Sequence, residues 1–490
     1  MNYVNGKIIT EAECQPILEN IDQMILSTLA KPPLDINQLI DACDTLVKNI
    51  HNLDAIKRLP ELGISSTLME IYQSQVEQMF SGQAICKRLE TELGQHYNRP
   101  KEIIYTYSKA KAAQIYAPLG VLFHITAGNV DVLPFISLLE GLVCGNINII
   151  KLPKEDMGIT ISLLDELINI LPALKEYAYV FDYSSRDIYA MKKLAAVSDA
   201  IVVWGSDEAV KAVRTLADPN TKIIEWGHKI SFAYVTMEGI NKAISLEHSF
   251  DRAKKPECKC VNDYKENEDV NNQPPTSETN IKPMHRRNTL EKLARTTLEK
   301  LALNICLTNQ LFCSSCQGIF LDTDDMQDVY DFCQVFLPVL ERVSQENPFA
   351  FDEGTKLFTQ ARVTLELYHK EIENRGNANR IFKGKNCSIT ACTDSNLEPS
   401  IMYRNIWVKP LKKDKLLNLR RYKNYLQTAA LICSEAEHDE LSGKLLQAGV
   451  VKISDGFEMS NYAFGEAHDG VFAFRCYTKL VSVQDRCKLD

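Results

Sequence analysis

Cys313 stands in the run Asn309-Gln-Leu-Phe-Cys-Ser-Ser-Cys-Gln317, between a helical pattern and a strand-like one. A thiolate there is a candidate nucleophile, because loops between elements of a rigid scaffold present side chains to a site, and a nearby helix N-terminus lowers a thiol's pKa. Two other readings compete on the local sequence alone. One is a buried core cysteine, the ordinary fate of a free thiol. The other is a zinc site shared with Cys258 and Cys260, which is weak because that pair is a CxC in a polar stretch with no paired histidine following. Three further segments carry potential chemistry. Gly145-Asn-Ile-Asn-Ile-Ile-Lys151 ends a strand-like run in lysine, with Lys154 shortly after. Trp204-Gly205-Ser206 places Gly-Ser ahead of a helical pattern, where free backbone N–H groups can hold a pyrophosphate. Glu225 closes another strand-like run in Glu225-Trp-Gly-His-Lys229. No GxGxxG follows the first strand.

The elements that must position these residues follow from periodicity. Residues 1–110 read as helical, with Ile17, Ile21, Met24, Ile25 and Leu29 on one stripe and a third helix near 68–93. From about residue 111, short β-rich runs (121–126, 147–151, 177–182, 199–204, 221–225) alternate with helical stretches (133–143, 159–170, 186–195, 206–216). That alternation predicts βαβ units and a parallel sheet covered by helices. Residues 251–287 are rich in Lys, Glu, Asn, Pro and Ser and read as a flexible insertion. The expected division is a helical region 1–110, a dinucleotide-binding domain 111–227, a catalytic domain 228–435 carrying that insertion, and a segment 436–490 that completes the fold. His124 and His468 read as structural histidines.

Composition limits the function classes. The chain has 490 residues, 45% hydrophobic and 24% charged, with net charge -9. The acidic balance argues against a nucleic-acid partner. No run reaches the roughly 18–20 apolar residues of a membrane span. The N-terminus has neither a basic nor an apolar signal region, so a cytoplasmic location is expected. The 15 cysteines then read mostly as buried thiols of a reducing compartment.

Taken in order, the motifs resemble the aldehyde dehydrogenase superfamily. Thr126-Ala-Gly-Asn129 is similar to its oxyanion-hole segment, 145–151 to its adenosine-binding strand, Trp204-Gly205-Ser206 to its pyrophosphate turn, and 225–229 to its general-base segment. Asn309-Gln310 with Cys313 resembles its nucleophile loop, and Gln427-Thr-Ala-Ala430 its later catalytic-domain pattern. Cys-Ser-Ser after the nucleophile and Trp-Gly-x-Lys-x-Ser after the acid point to the LuxC-type acyl-CoA reductases, the reductase component of bacterial fatty acid reductase. The resemblance implies a Rossmann-type parallel-sheet cofactor domain joined to an α/β catalytic domain. It implies NADPH-dependent reduction of a fatty acyl thioester to the aldehyde. An aldehyde-oxidising enzyme and a non-catalytic subunit of the same fold are the alternatives. Cys313, Glu225 and Asn129 become the catalytic set, and Thr126, Lys151, Lys154, Gly205 and Ser206 the cofactor set. Lys151 is assigned to the adenosine ribose, and Lys154 to a 2′-phosphate by charge complementarity. An acyl-protein synthetase partner and a homo-oligomer are also implied. The chain departs from the pattern at His228, where a second glycine is usual, at Asn405-Ile-Trp-Val-Lys-Pro410, which lacks the ribose-binding glutamate, and at Cys316, where proline is usual. Cys316 is a candidate disulfide partner of Cys313 under oxidation.

Overall fold

The computed structural model describes residues 1–53, 57, 76–95, 97, 101–104, 111–128, 132–153, 158–241, 297–349, 353–374, 376, 378–461 and 465–484. The expected insertion at 251–287, the Cys258 cluster, Asn129 and Lys154 lie outside these residues.

The alternating runs fold as expected. Strands β5 (Val121–Ile125), β6 (Ile147–Lys151), β7 (Ala178–Phe181), β8 (Ala200–Trp204) and β9 (Lys222–Trp226) form a parallel set in the order β7-β6-β5-β8-β9. β5 and β7 are buried along their whole length, which is why they read as continuous apolar runs rather than alternating ones. The intervening helices are Leu133–Val143, Ile159–Ile170, Ile188–Ala196 and Asp207–Leu216. Strand order reverses between β5 and β8, and such a switch point is where sheets of this kind place ligands, at the strands' C-terminal ends.

The N-terminal region is not wholly helical. β1 (Asn2–Val4) and β2 (Lys7–Ile9) form an antiparallel hairpin that extends the sheet beside β7. Its two-residue turn, Asn5-Gly6, has φ of 52° and 73° at its two positions, the conformation that Asn-Gly adopts at least cost. The helices Glu11–Glu19, Ile21–Leu29, Ile36–Asn49 and Gly82–Leu93 follow, together with a further strand, β3 (Lys101–Ile104).

The second sheet comprises β10 (Ile230–Val235), β11 (Cys316–Leu321), β12 (Arg380–Lys383), β13 (Ser388–Ala391), β14 (Asn405–Pro410), β15 (Leu426–Ile432) and β16 (Lys452–Ser454). Its order is β12-β13-β14-β11-β10-β15-β16, parallel except for β12. Helices Thr297–Thr308 and Met326–Glu346 fill one face with Leu301, Ile305, Phe336 and Leu340. Leu441 and Leu445 of helix Glu435–Ala448 pack on the other. A third, antiparallel sheet joins β3 and β4 (Lys111–Pro118) to the C-terminal β17 (Thr478–Gln484).

The C-terminal segment is shared between the halves. Residues 435–454 complete the second sheet, whereas Ala473, Phe474 and Tyr477 enter the core of the first. Glu92, fully buried, accepts from the Phe474 N–H and pairs with Arg88, which also pairs with Glu140.

Candidate active site

Cys313 lies in the loop between helix Thr297–Thr308 and β11. The loop leaves the helix through two left-handed residues, Asn309 (φ 47°) and Gln310 (φ 63°), and a buried amide holds it in that shape. Gln310 Nε2 donates to Cys316 O at 3.0 Å and to Ser400 Oγ at 3.0 Å, while its Oε1 accepts from Arg404 N at 2.9 Å. Gln317 Nε2 returns a bond to Gln310 O, and Phe312 N donates to Ser315 Oγ. Each polar end of these buried groups has a partner, as burial requires. The Arg404 guanidinium donates to Asn309 Oδ1, Ser344 O and Cys306 O, tying the loop to the helical layer.

The N-terminal ends of β10 and β15 complete the surroundings of Cys313. Ser231 Oγ donates to Cys313 O at 2.7 Å and accepts from Thr428 N at 3.0 Å. Gln427 Nε2 lies 3.3 Å from Cys313 Sγ and also donates to Asp469 Oδ1. The thiol is half-buried. Burial and the Asp469 charge push its pKa up to about 11, against hydrogen bonds from Gln427 and from the backbone N–H groups of Ser314 and Cys313. The sequence-based expectation of a thiol depressed by a helix N-terminus is therefore corrected. The loop follows a helix C-terminus, and the groups that favour the thiolate are local amides.

Cys316 begins β11, fully buried, and its thiol donates to Gly318 O at 3.3 Å. It belongs to the apolar core on one face of the sheet, and both Cys313 and Cys316 are free thiols. Among the described residues no group of three or more His, Cys, Asp or Glu side chains is placed to hold a metal ion.

The described residues of the expected cofactor set gather at the reversal point of the first sheet. Thr126 follows β5, and its hydroxyl donates to Lys151 O, at the end of β6. Gly205 follows β8 with φ 154°, and its N–H donates to Trp226 O. A Cβ at Gly205 would stand 3.2 Å from the Ala209 methyl, so the turn is a close-fitting cradle that a side chain would fill. Ser206 stands at the N-cap of helix Asp207–Leu216, and the Glu208 carboxylate in the first turn hydrogen-bonds Ser206 and its own backbone N–H. Thr126, Lys151, Gly205 and Ser206 are thus brought to one end of the sheet.

Glu225 is placed differently. Within β9, Ile224 and Trp226 are buried while Glu225 is exposed, and Arg214 of helix Asp207–Leu216 grips both its oxygens at 2.7 and 2.8 Å. The hydrogen-bond partners of Cys313 Sγ are Gln427 and local backbone, and Glu225, held by Arg214, is not among the groups acting on it. Trp226 stacks on Trp204 with ring centroids 5.3 Å apart, and the His468 ring packs on both. The two sheets meet here. Tyr425 donates its hydroxyl to Asp207 and its carbonyl accepts from Ile230 N. His468 and Asp469 link the tryptophan pair to Gln427.

His124 is structural, as expected. Asn148 Nδ2 donates to Asn146 O, so its Oδ1 is the acceptor for His124 Nε2–H at 3.0 Å. Ser137 then donates to Nδ1 and accepts from Trp204 Nε1–H.

Comparison with known proteins settles the family. The acyl-CoA reductase (LuxC) profile matches residues 31–253 and 288–480. The chain belongs to that family. It is 24% identical over 246 residues to long-chain acyl-protein thioester reductase 2 of Photobacterium leiognathi, covering 48% of this chain and 49% of the relative. It is 26% identical over 368 residues to the long-chain acyl-protein thioester reductase of Aliivibrio fischeri, covering 74% of this chain and 64% of the relative. The matched stretches thus span about half to under two thirds of those relatives' lengths. Among solved structures, lactaldehyde dehydrogenase from Escherichia coli superposes over 99% of this chain and 98% of its own with TM-score 0.61 at 13% identity. The fold of this family member is therefore that of the aldehyde dehydrogenases.

Gln427, Asp469 and Ser231 are the site residues that motif reading missed. Gln427 and Ser231, the serine of the Trp-Gly-x-Lys-x-Ser pattern, stood inside recognised motifs without a role. Asp469 carried one local signal, the His-Asp-Gly470 turn with φ of 50° at Asp469.

Proposed function

We propose that this chain reduces a fatty acyl thioester to the fatty aldehyde with NADPH, through an acyl-enzyme on Cys313. The observation that carries this reading is the placement of Cys313 Sγ among N–H donors, at the end of the second sheet that meets the strand reversal of the first. The relatives' names, long-chain acyl-protein thioester reductases, supply the substrate class.

The residues at the reversal point fit a dinucleotide. The Gly205 cradle and the N-terminus of helix Asp207–Leu216 suit a pyrophosphate, Lys151 the adenosine ribose, and Thr126 the neighbouring wall. Lys154 is assigned to the 2′-phosphate on charge grounds. When bound, the dihydronicotinamide supplies the hydride.

The protein's own groups do the rest. The Cys313 thiolate attacks the acyl carbonyl and expels the donor thiol. The Cys313 backbone N–H and Asn129 are assigned to the oxyanion. Collapse of the thiohemiacetal expels Cys313 as thiolate and releases aldehyde. The Glu225–Arg214 pair supports reduction over aldehyde oxidation, because a carboxylate clamped by a guanidinium on the outer side of β9 is not positioned to activate a hydrolytic water at Cys313. The donor is an acyl-CoA or an acyl-protein delivered by a synthetase, and the enzyme works as a cytoplasmic homo-oligomer.

Intact-mass measurement after incubation with myristoyl-CoA tests the reading. Wild type should gain one acyl group that NADPH discharges as free aldehyde, and Cys313→Ala should gain none. Oxidation of aldehyde to acid with NADP⁺, without aldehyde ever forming from acyl-CoA, overturns it.

A further inference from the structure

We propose that Gln427 is a catalytic residue, the side-chain donor that meets the Cys313 sulfur whenever it carries negative charge, and that Asp469 is the positioning residue that sets the orientation of its amide. This rests on Cys313 being the nucleophile.

The argument begins with the symmetry of an amide. The two ends of a glutamine side chain have nearly the same shape, so only hydrogen bonding decides which end faces the sulfur. Asp469 decides it here. An ionised carboxylate only accepts, and Asp469 Oδ1 lies against Gln427 Nε2, so the NH₂ end is forced into that corner. One hydrogen goes to Asp469. The second points toward Cys313 Sγ, 3.3 Å away. Ser231 cannot compete for the sulfur, because its hydroxyl hydrogen is committed to Cys313 O at 2.7 Å and its oxygen accepts Thr428 N–H.

A donor aimed at sulfur stabilises thiolate over thiol, and a nearby carboxylate does the reverse. Both effects act on Cys313 from neighbouring elements: Gln427 from β15, Asp469 from the loop ahead of Gly470, and backbone N–H groups from its own loop. The other titratable group here is His468, whose Nε2 is 3.8 Å from Asp469 Oδ2 and which feels Lys229, Arg88 and Glu466. Negative charge forms on Sγ twice in the proposed cycle. The first occasion is before attack on the acyl carbonyl. The second is when the thiohemiacetal C–S bond breaks, its electron pair returns to sulfur and the aldehyde C=O forms. Gln427 serves both ends.

The test reads thiol ionisation and not turnover. Alkylation of Cys313 by iodoacetamide is followed at peptide level by mass spectrometry across pH, in the full-length wild type, Gln427→Met and Asp469→Asn. Methionine keeps the length and removes the donor. Asparagine keeps an acceptor oxygen for Gln427 and removes the charge. Gln427→Met should shift the inflection upward by about one unit, making alkylation near pH 8 roughly tenfold slower. Asp469→Asn should shift it downward. Opposite shifts are not what loss of structure produces. Should Gln427→Met lose its cooperative thermal transition, Gln427→Leu and the Asp469→Asn arm carry the same test. Unshifted inflections, or shifts of the same sign, overturn the assignment. Opposite shifts without any acyl adduct would defeat the acyl-enzyme reading and leave Gln427 as the sulfur's donor. An adduct with unshifted inflections would defeat only the role given to Gln427.

Discussion

The two parallel sheets offer opposite ends to the site. The first presents the C-terminal ends of β5, β6 and β8, and the second the N-terminal ends of β10, β11 and β15. The first offers main chain to the proposed cofactor site, at the Gly205 turn and the N-terminus of helix Asp207–Leu216. The second works through side chains, as Ser231, Cys313, Gln427 and Asp469 converge from four separated stretches. A binding end made of backbone needs only the correct turn. A reacting end made of side chains needs several distant segments to arrive together, so the two should fail in different ways.

Gly205→Val should separate them most sharply. Valine is strained at φ 154° and crowds Ala209, so the turn must move. NADPH-dependent discharge of the acyl adduct should slow by about a hundredfold, the scale of a misplaced reacting group. Formation of the adduct on Cys313 should stay within about twofold in the same intact-mass assay. Equal loss of both would show that the sheets do not act separately.

A smaller effect concerns acid sensitivity. Burial pushes His124 in β5 down to about 4 from its ordinary 6.5, against the raising effect of the hydrogen bond that its Nε2–H donates to Asn148 Oδ1. The unfolded chain therefore takes up a proton first as pH falls. Stability is fully present above about 6.5 and declines toward 4, by about 2 kcal/mol at pH 5. His124→Gln should flatten that part of a pH-dependent denaturation curve. An unchanged slope would place the acid-sensitive group elsewhere.

The smallest effect is expected at Arg214→Ala. It frees Glu225, an exposed partner in a surface pair worth little to stability. Adduct formation should change by less than about threefold. A tenfold or larger rise would show that the freed carboxylate can reach Cys313 and would restore it as a base.

Much of the first sheet was legible in the sequence. Residues 133–143 and 159–170 form helices with the expected bounds, and β5 to β9 fall within about a residue of the predicted runs. Parallel strands buried on both faces leave uninterrupted apolar runs, and their helices carry the 3.6-residue stripe. The hairpin at residues 2–9 was missed although Asn5-Gly6 between Tyr3-Val4 and Lys7-Ile8 announced it, because helical stripes further on set the reading of the whole region. At the site, the Cys313 loop was located by its motif. The contacts of Cys313 were not, since 114 residues of chain separate it from Gln427. Glu225 shows the same limit. Its motif placed it at a strand end, but the alternation of β9 and the reach of Arg214 decide where its carboxylate goes.

One tie spans nearly the whole chain. Phe474 N–H bonds Glu92, Asn146 Nδ2 bonds Tyr477 O, and β17 pairs with β4 along its own whole length. On the ribosome, residues synthesised early must wait for residues synthesised late. A nascent chain that has emerged as far as residue 470 has both parallel sheets in hand, yet Glu92 lacks its Phe474 N–H donor and β4 lacks its C-terminal neighbour. Chain growth therefore meets an order-of-assembly problem: the first half to appear is among the last to close, and an unpaired strand edge stays open to other chains meanwhile.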